Sequence, residues 1–339
     1  ASDLESSAAT VAIDGTAERD EEPSLERFRK LPAIIVVDVT NSCNLRCPVC
    51  PVTIAMTRRR GMMKMPVFRR IVDDFVGRPE KPEIFFNFSG EPTLNQLLPD
   101  FIAYAAGHGH KTFVSTNATK ITDRLARAMI TAGLDRIYLC LDGFDAEAQE
   151  SYRVNSVFAE VKAGIEAFVR AKRELGAENP ICILQTLLTR YSERQIGEIE
   201  AWARAIGLDR IRFKSFSTGT YTSEAEKELA RRFLPENPAY RRVDDGTAAP
   251  ATCHEPTHST VVFWNGDLGL CCIDYDKKVR MPNIMEDGFI RAYQSRAATM
   301  ARRAGFLKQH AICRGCAYNS AGNMGFKVDL SAGCTADTA

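Results

Sequence analysis

Between Leu31 and Phe216, short β-branched runs alternate with stretches of helical periodicity, and this alternation limits the folds open to the chain more than any other feature. Strands are expected over residues 33–39, 83–88, 112–115, 136–141, 181–188 and 211–216, and helices over 66–76, 97–106, 123–132, 158–175 and 192–205. The first helix carries Pro66 near its start, Val67, Phe68, Ile71, Val72 and Phe75 as its apolar positions, and Gly77 at its end. Two helix-to-strand junctions echo each other, Gly133-Leu134-Asp135-Arg136-Ile137 and Gly207-Leu208-Asp209-Arg210-Ile211. Strands of this type, separated by helices, build a parallel sheet. About six β/α units are too few to close an eight-unit barrel, so the expected fold is α/β, an open partial (β/α)6 barrel with ligands at the C-terminal strand ends.

Composition narrows the partners. Of 339 residues, 45% are apolar and 26% charged, enough to bury a large core. Forty-four Lys+Arg against 43 Asp+Glu leave a formal charge of +1, so no excess positive field awaits a nucleic acid. No apolar run approaches the length of a membrane span, and the opening Ala1-Ser2-Asp3-Leu4-Glu5 lacks the basic and apolar regions of a secretory signal. The expectation is a cytoplasmic protein with neither a nucleic-acid nor a membrane partner. Residues 1–30 are expected to be a mobile tail, with a capping helix over 24–30 as the alternative. Residues 31–245 form the barrel. A Gly/Ala/Pro/Thr-rich stretch at 244–251 marks a boundary, and 246–339 form a second domain. In it a hairpin is expected, 260–264 and 268–272 about the turn Asn265-Gly266-Asp267, followed by a helix over 289–304.

Eleven cysteines in such a chain need a reading other than a disulfide framework. Directly after the first strand stands Cys43-Asn44-Leu45-Arg46-Cys47-Pro48-Val49-Cys50, a C-x3-C-x2-C loop. Three thiolates on one loop can hold three irons of a 4Fe-4S cube and leave the fourth open to a small chelating ligand. A structural zinc ion, the alternative, wants four ligands in a closed shell.

This loop, in this context, resembles the radical S-adenosylmethionine (SAM) superfamily over about residues 33–216. Ser89-Gly90-Glu91-Pro92 at the end of the second strand is similar to that family's G-G-E-P motif, with Ser89 in place of the first glycine. Ser115-Thr116-Asn117 resembles its ribose-side element, and Cys140-Leu141-Asp142-Gly143 its S-L-D-G. The resemblance implies that Cys43, Cys47 and Cys50 ligate a 4Fe-4S cluster. It implies that Ser89, Gly90, Glu91, Ser115, Asn117, Cys140 and Asp142 contact SAM, with Glu91 on its amino group. Val49 departs from the pattern, which has an aromatic residue there. The implied chemistry is reductive cleavage of SAM to a 5′-deoxyadenosyl radical that takes a hydrogen atom from an unreactive C–H bond, shielded in the barrel lumen. A flavodoxin or ferredoxin-type donor is the implied electron source.

The rear cysteines, Cys253, Gly266-x4-Cys271 and Cys313-Arg314-Gly315-Cys316, are similar to the twitch domain, the shortened relative of the SPASM domain. That resemblance implies one auxiliary 4Fe-4S cluster held by Cys253, Cys271, Cys313 and Cys316 and used for electron transfer. Zinc, with His254 or His258 as further ligands, is the alternative. Cys272 reads as a core thiol and Cys334 as a terminal one.

Twitch enzymes of this layout resemble those acting on aminoglycosides and aminocyclitols. Two outcomes are implied: epimerisation of a hydroxyl-bearing carbon, with a cysteine returning the hydrogen atom, and dehydrogenation of the same carbon. Cys182, on the fifth strand, is the candidate hydrogen donor. Its alternative is a buried apolar thiol, and its strand parity differs from that of Gln185. A peptide-modifying maturase is a third reading, disfavoured by the roughly 30 residues before the first strand, where maturases carry a peptide-recognition domain. Asp274 and Asp276 are candidates for binding substrate ammonium groups, or else exposed turn carboxylates. Arg58-Arg59-Arg60 reads as a solvated loop, or as a group reaching a cluster ligand.

Overall fold

The structure, a computed structural model, describes residues 24–217, 223–242, 251–313, 316 and 325–330. The first 23 residues of the expected tail, most of the boundary stretch, Arg314, Gly315 and Cys334 lie outside the described residues.

Six parallel strands follow one another in space as in sequence: β1 (Ile34–Val37), β2 (Glu83–Phe86), β3 (Thr112–Thr116), β4 (Arg136–Cys140), β5 (Ile181–Leu188) and β6 (Arg210–Ser217). Between them run the helices Met65–Val72, Leu98–Gly107, Asp123–Thr131, Phe158–Glu174 and Ile196–Ile206. This is the expected partial (β/α)6 barrel. Strand alternation divides it into two faces. Ile35, Val37, Ile84, Phe86, Val114, Ile137, Leu139, Leu184 and Ile211 point outward into one core with Phe68, Phe101, Met129, Phe168 and Ile199 of the helices. Each such side chain contributes roughly 1.5–3 kcal/mol by leaving water. The opposite parity lines the lumen, where Phe85 packs tilted against Phe113 at 4.6 Å and Phe113 meets Tyr138 edge-to-face at 4.5 Å.

The chain does not leave this sheet beyond residue 246. β8 (Ser259–Val262) adds parallel to β1, and β9 (Leu268–Gly269) turns back antiparallel to β8. β10 (Phe326–Asp329) adds antiparallel to β6, while the short β7 (Arg241–Arg242) extends the C-terminal end of β6. Both edges of the six-stranded sheet are thus covered by C-terminal segments, which moves the open edges outward to the short strands β9 and β10. The hairpin turn places Gly266 at φ 88°, a left-handed conformation that glycine accepts without strain. The second arm is shorter than expected because the chain bends at residue 271. There Asp274 accepts the N–H groups of Lys278, at 2.6 Å, and Val279 in place of a strand partner. The single expected helix is two, Phe289–Gln294 and Arg296–Phe306, because Ser295 is extended (ψ 155°) and caps the second by accepting from the Ala298 N–H.

Residues 25–30 depart from a mobile tail. Leu25–Arg29 form a 3-10 turn with Phe28 fully buried against Phe306, and the Arg302 guanidinium donates to the Phe28 carbonyl at 2.9 Å. One aromatic ring and one buried arginine hold the segment down.

Candidate active site and auxiliary cluster site

The cluster loop leaves β1 at Asp38 and carries its three thiols over the C-terminal strand ends. Leu45, Cys47 and Val49 are buried against Tyr152, Phe216 and Phe233, with Cys43 and Cys50 packed beside them. Val49 is therefore a core residue of this loop. Burial, with the neighbouring Glu91, Cys47 and Cys50, pushes the Cys43 thiol up to about 11 despite a hydrogen bond from the Leu45 N–H. Burial raises Cys50 as well, against hydrogen bonds from the Val52 and Thr53 N–H groups. Crowded soft donors with N–H groups aimed at sulfur, and no disulfide among them, fit a metal cluster that displaces their protons on binding.

Gly90 lets the loop sit where it does. A Cβ there would lie 2.2 Å from the Thr40 carbonyl oxygen and 2.5 Å from that of Ser42. The Glu91 N–H donates to the Ser42 carbonyl at 2.9 Å. Glu91 is buried, and its carboxylate accepts from Thr116 Oγ1 at 2.6 Å, Thr93 Oγ1 at 2.7 Å and the Asn117 N–H at 2.8 Å. Burial raises its pKa while these donors oppose the rise. A buried carboxylate aimed over the strand ends suits an ammonium group. Asn117 also ties β3 to the loop, donating to Asn44 Oδ1 at 3.1 Å and toward Cys43 Sγ at 3.9 Å.

Ser89 does what a glycine could not. Its hydroxyl donates to Asp38 Oδ1 at 3.1 Å and accepts from Arg58 Nη2 at 2.9 Å, while Arg58 also pairs with Asp38 Oδ2 at 3.0 Å. Arg58 lies over the Phe263 ring, 4.2 Å from its centroid, and donates to the Tyr275 carbonyl at 2.7 Å. The arginine run is thus not uniformly solvated: Arg58 is nearly buried, Arg60 donates to the Val52 carbonyl at 2.8 Å, and Arg59 is exposed.

Deeper in the lumen, Cys140 Sγ sits 3.8 Å from Ser115 Oγ and 3.5 Å from Gln185 Nε2. Burial raises its pKa, so the thiol keeps its proton. Asp142 accepts from the Leu187 N–H at 2.8 Å and pairs with Arg153. It is fully buried, and it positions Arg153 rather than facing a ligand itself. Arg153 in turn points Nη1 at Cys47 Sγ, 3.9 Å away. Burial alone would lower its pKa, but Asp142, Cys47 and Cys140 hold it well above the usual value. A fixed cation beside the cluster loop suits a carboxylate ligand. Asp38 and Arg153 were not singled out by sequence, since single Asp and Arg residues without a motif carry no signal until the fold brings them together; Arg58 was noted only as part of the arginine run.

Cys182 is not brought to this site. It lies at the second residue of β5, opposite Ile137 and far from the C-terminal strand end, with the outward parity of Leu184. Its Sγ donates to the Pro180 carbonyl at 3.5 Å, its environment includes Lys172 and Asp209, and burial pushes its pKa up to about 12. A thiol in the helix-facing core cannot meet a radical in the lumen, so the expected donor role is corrected to that of a core thiol.

In the C-terminal region, Cys253, Cys271, Cys313 and Cys316 line one cavity with Pro256, Ile273, Gly305, Ile312 and Lys308. Cys272, next in sequence to Cys271, is absent from the lining, as are His254 and His258. His254 Nδ1 lies 3.0 Å from Arg27 and its ring packs on Phe306. Four thiols around a cavity whose other lining is apolar but for Lys308 suit a fully ligated iron–sulfur cluster. Neither carboxylate after Cys271 is an exposed turn group or a free ammonium receptor. Asp274 is buried and caps N–H groups; burial lifts its pKa to about 6 despite those bonds. Asp276 is buried against residues 57 and 58.

Comparison with known proteins agrees with this geometry. The radical SAM superfamily profile matches residues 37–203, and that of the SPASM iron–sulfur cluster-binding domain matches 253–317. The chain thus carries a radical SAM domain and a C-terminal SPASM-type iron–sulfur domain; the cofactors these domains imply are SAM with a 4Fe-4S cluster, and auxiliary iron–sulfur. Among curated relatives it is similar to the tungsten-containing aldehyde ferredoxin oxidoreductase cofactor-modifying protein of Pyrococcus furiosus, 27% identical over 52% of this chain and 49% of the relative. It therefore spans about half the length of that protein. Among solved structures it resembles BtrN in complex with AdoMet and 2-DOIA (TM-score 0.51, 15% identity, 85% of this chain and 93% of that one). It also resembles anSMEcpe with bound AdoMet (TM-score 0.58, 15% identity, 86% and 92%). Among the described residues no helix is long and apolar enough to cross a membrane.

Proposed function

We propose that the enzyme inverts a hydroxyl-bearing carbon of an aminoglycoside- or aminocyclitol-type small molecule. Cys140, in place of Cys182, returns the hydrogen atom. The observation that carries this reading is the Cys140 thiol. It stands at the C-terminal end of β4 on the lumen face, between Ser115 and Gln185. The substrate class extends the resemblance to aminoglycoside-pathway enzymes, the hygromycin B epimerase among them.

In this reading Cys43, Cys47 and Cys50 hold the SAM-binding cluster, and Cys253, Cys271, Cys313 and Cys316 the single auxiliary one. Glu91 receives the SAM amino group, Arg153 its carboxylate, and Ser115 and Asn117 its ribose side. When bound, these groups supply a 5′-deoxyadenosyl radical that removes a substrate hydrogen atom. The Cys140 S–H bond is weaker than the alcohol-bearing C–H bond, so its hydrogen passes downhill to the carbon radical and leaves a thiyl. One electron, through the auxiliary site from a flavodoxin or ferredoxin-type donor, and one proton restore the thiol. Buried Phe113 and half-buried Phe85 and Tyr138 line the lumen and limit water.

A second reading, dehydrogenation of the same alcohol carbon, is favoured by the four-cysteine cavity, which can receive an electron as readily as give one. The two are separated by incubating the enzyme with an aminoglycoside panel in D2O. The proposal expects an isobaric product with deuterium at the inverted carbon, and expects Cys140→Ala to abolish inversion. Loss of two hydrogens selects dehydrogenation. Turnover only of a peptide would select a maturase and overturn the substrate class.

A further inference from the structure

The cavity bearing the four rear cysteines holds one feature that ligation does not require. Lys308 lines it, and its Nζ is buried with no hydrogen-bond partner among the described residues. The other lining groups are the four thiols and the apolar Pro256, Ile273, Gly305 and Ile312. Lys308 is not carried there by a relaxed helix. It follows the end of Arg296–Phe306 with φ 54°, in the left-handed region that glycine or asparagine usually fills, while its N–H bonds the Gly305 carbonyl at 3.0 Å. An ammonium group in an apolar cavity is costly unless a counter-charge meets it. The counter-charge that would meet it is a cluster held by the four thiolates, which would carry net negative charge.

We infer that Lys308 is a built-in counter-ion of the auxiliary cluster, donating its ammonium N–H toward cluster or cysteine sulfur and raising the cluster's reduction potential. Hydrogen bonds and charge near the sulfurs are among the levers that set such potentials. The role makes the auxiliary site easier to reduce, whichever product forms at the substrate carbon. It rests on the auxiliary cluster alone and survives failure of the epimerase reading.

The test is a potentiometric titration of the reconstituted full-length holoenzyme, with the auxiliary cluster followed by its EPR signal. SAM, which perturbs only the front cluster, separates the two signals. Lys308→Met should leave the auxiliary cluster harder to reduce, with its reduced-to-oxidised ratio at a fixed poise falling about tenfold, ~59 mV for a one-electron couple. Lys308→Arg should restore the wild-type value, and the front cluster should not move in either variant. An unchanged auxiliary potential in a Lys308→Met protein that keeps its iron overturns the inference. Should that variant lose its rear cluster, Lys308→Gln, which keeps a neutral donor, takes its place: a lowered potential supports the inference and an unchanged one overturns it. In the cluster-free chain, iodoacetamide should alkylate the rear thiols more slowly in Lys308→Met than in wild type. Equal rates there count against a charge aimed at those sulfurs.

Discussion

Asp276 and Thr57, 219 residues apart, are joined by two hydrogen bonds of 2.7 Å: Oδ1 accepts the Thr57 N–H and Oδ2 the Thr57 hydroxyl. Oδ1 also accepts the Arg58 N–H at 2.9 Å, and Lys278 pairs with Oδ2 at 3.0 Å. The segment that follows the rear ligand Cys271 is thus pinned to the stretch that follows the front cluster loop. Burial works to raise the Asp276 pKa, but the Thr57 and Lys278 side chains and two backbone N–H groups outweigh it and hold it at about 2. A carboxylate depressed from an unfolded value of ~3.9 contributes stability that is present above that value and lost as pH falls toward 2. Asp276→Asn should lower Tm at pH 6, by about 1–3 kcal/mol of stability, and the gap to wild type should narrow from about pH 4 downward and close only near pH 2. A gap that stays constant from pH 6 to 2.5 contradicts this.

Gly90→Ala should empty the front site and spare the rear one. A Cβ 2.2 Å from the Thr40 carbonyl oxygen must push the backbone of the cluster loop away from β2. Iron in the reconstituted chain is expected to fall from about eight to about four per protein, with the four belonging to the SAM-insensitive signal. Retention of SAM-perturbed EPR intensity in this variant would show that the loop can shift without losing its ligands.

Cys182→Ala and Cys140→Ala should part company. The first deletes a sulfur from the helix-facing core, costing about 1–2 kcal/mol and a few degrees of Tm with turnover per folded enzyme unchanged. The second removes the lumen thiol beside Gln185 and should stop inversion while 5′-deoxyadenosine still forms. The check is product stereochemistry alongside thermal melting; inversion lost only in Cys182→Ala would reverse the assignment.

Adjacent cysteines in the C-terminal region should differ as sharply. Cys271→Ser should lose the rear cluster, since Cys271 lines the cavity. Cys272→Ser should keep it, because Cys272 is absent from the lining of that cavity. Iron counts near four and near eight respectively are expected, and equal counts would falsify the choice between them.

Much of the site was legible because its chemistry is carried by local spacing. The C-x3-C-x2-C loop after β1, and the Ser89–Glu91, Ser115–Asn117 and Cys140–Asp142 segments at successive strand ends, are each a few residues long. A parallel sheet must then place them together, since every strand ends on the same side. The choice of Cys271 over Cys272 likewise rested on a local spacing, Gly266-x4-Cys271, although the chain bends there and is not a strand.

What tertiary structure decided was direction and partnership across long separations. The sequence by itself determined the barrel's strand order, the three-thiol loop and the set of rear cysteines, because periodicity and spacing are properties of neighbours. It could not tell that Cys182 faces the helices. Nor could it pair Asp276 with Thr57, bring Arg58 to Asp38 and Ser89, hold Arg153 with Asp142, or bring Lys308 to the cavity lined by four cysteines. Each of these depends on which of two faces a strand buries, or on a charge finding its partner only after the chain has folded, and burial then turns an ordinary side chain into a fixed charge.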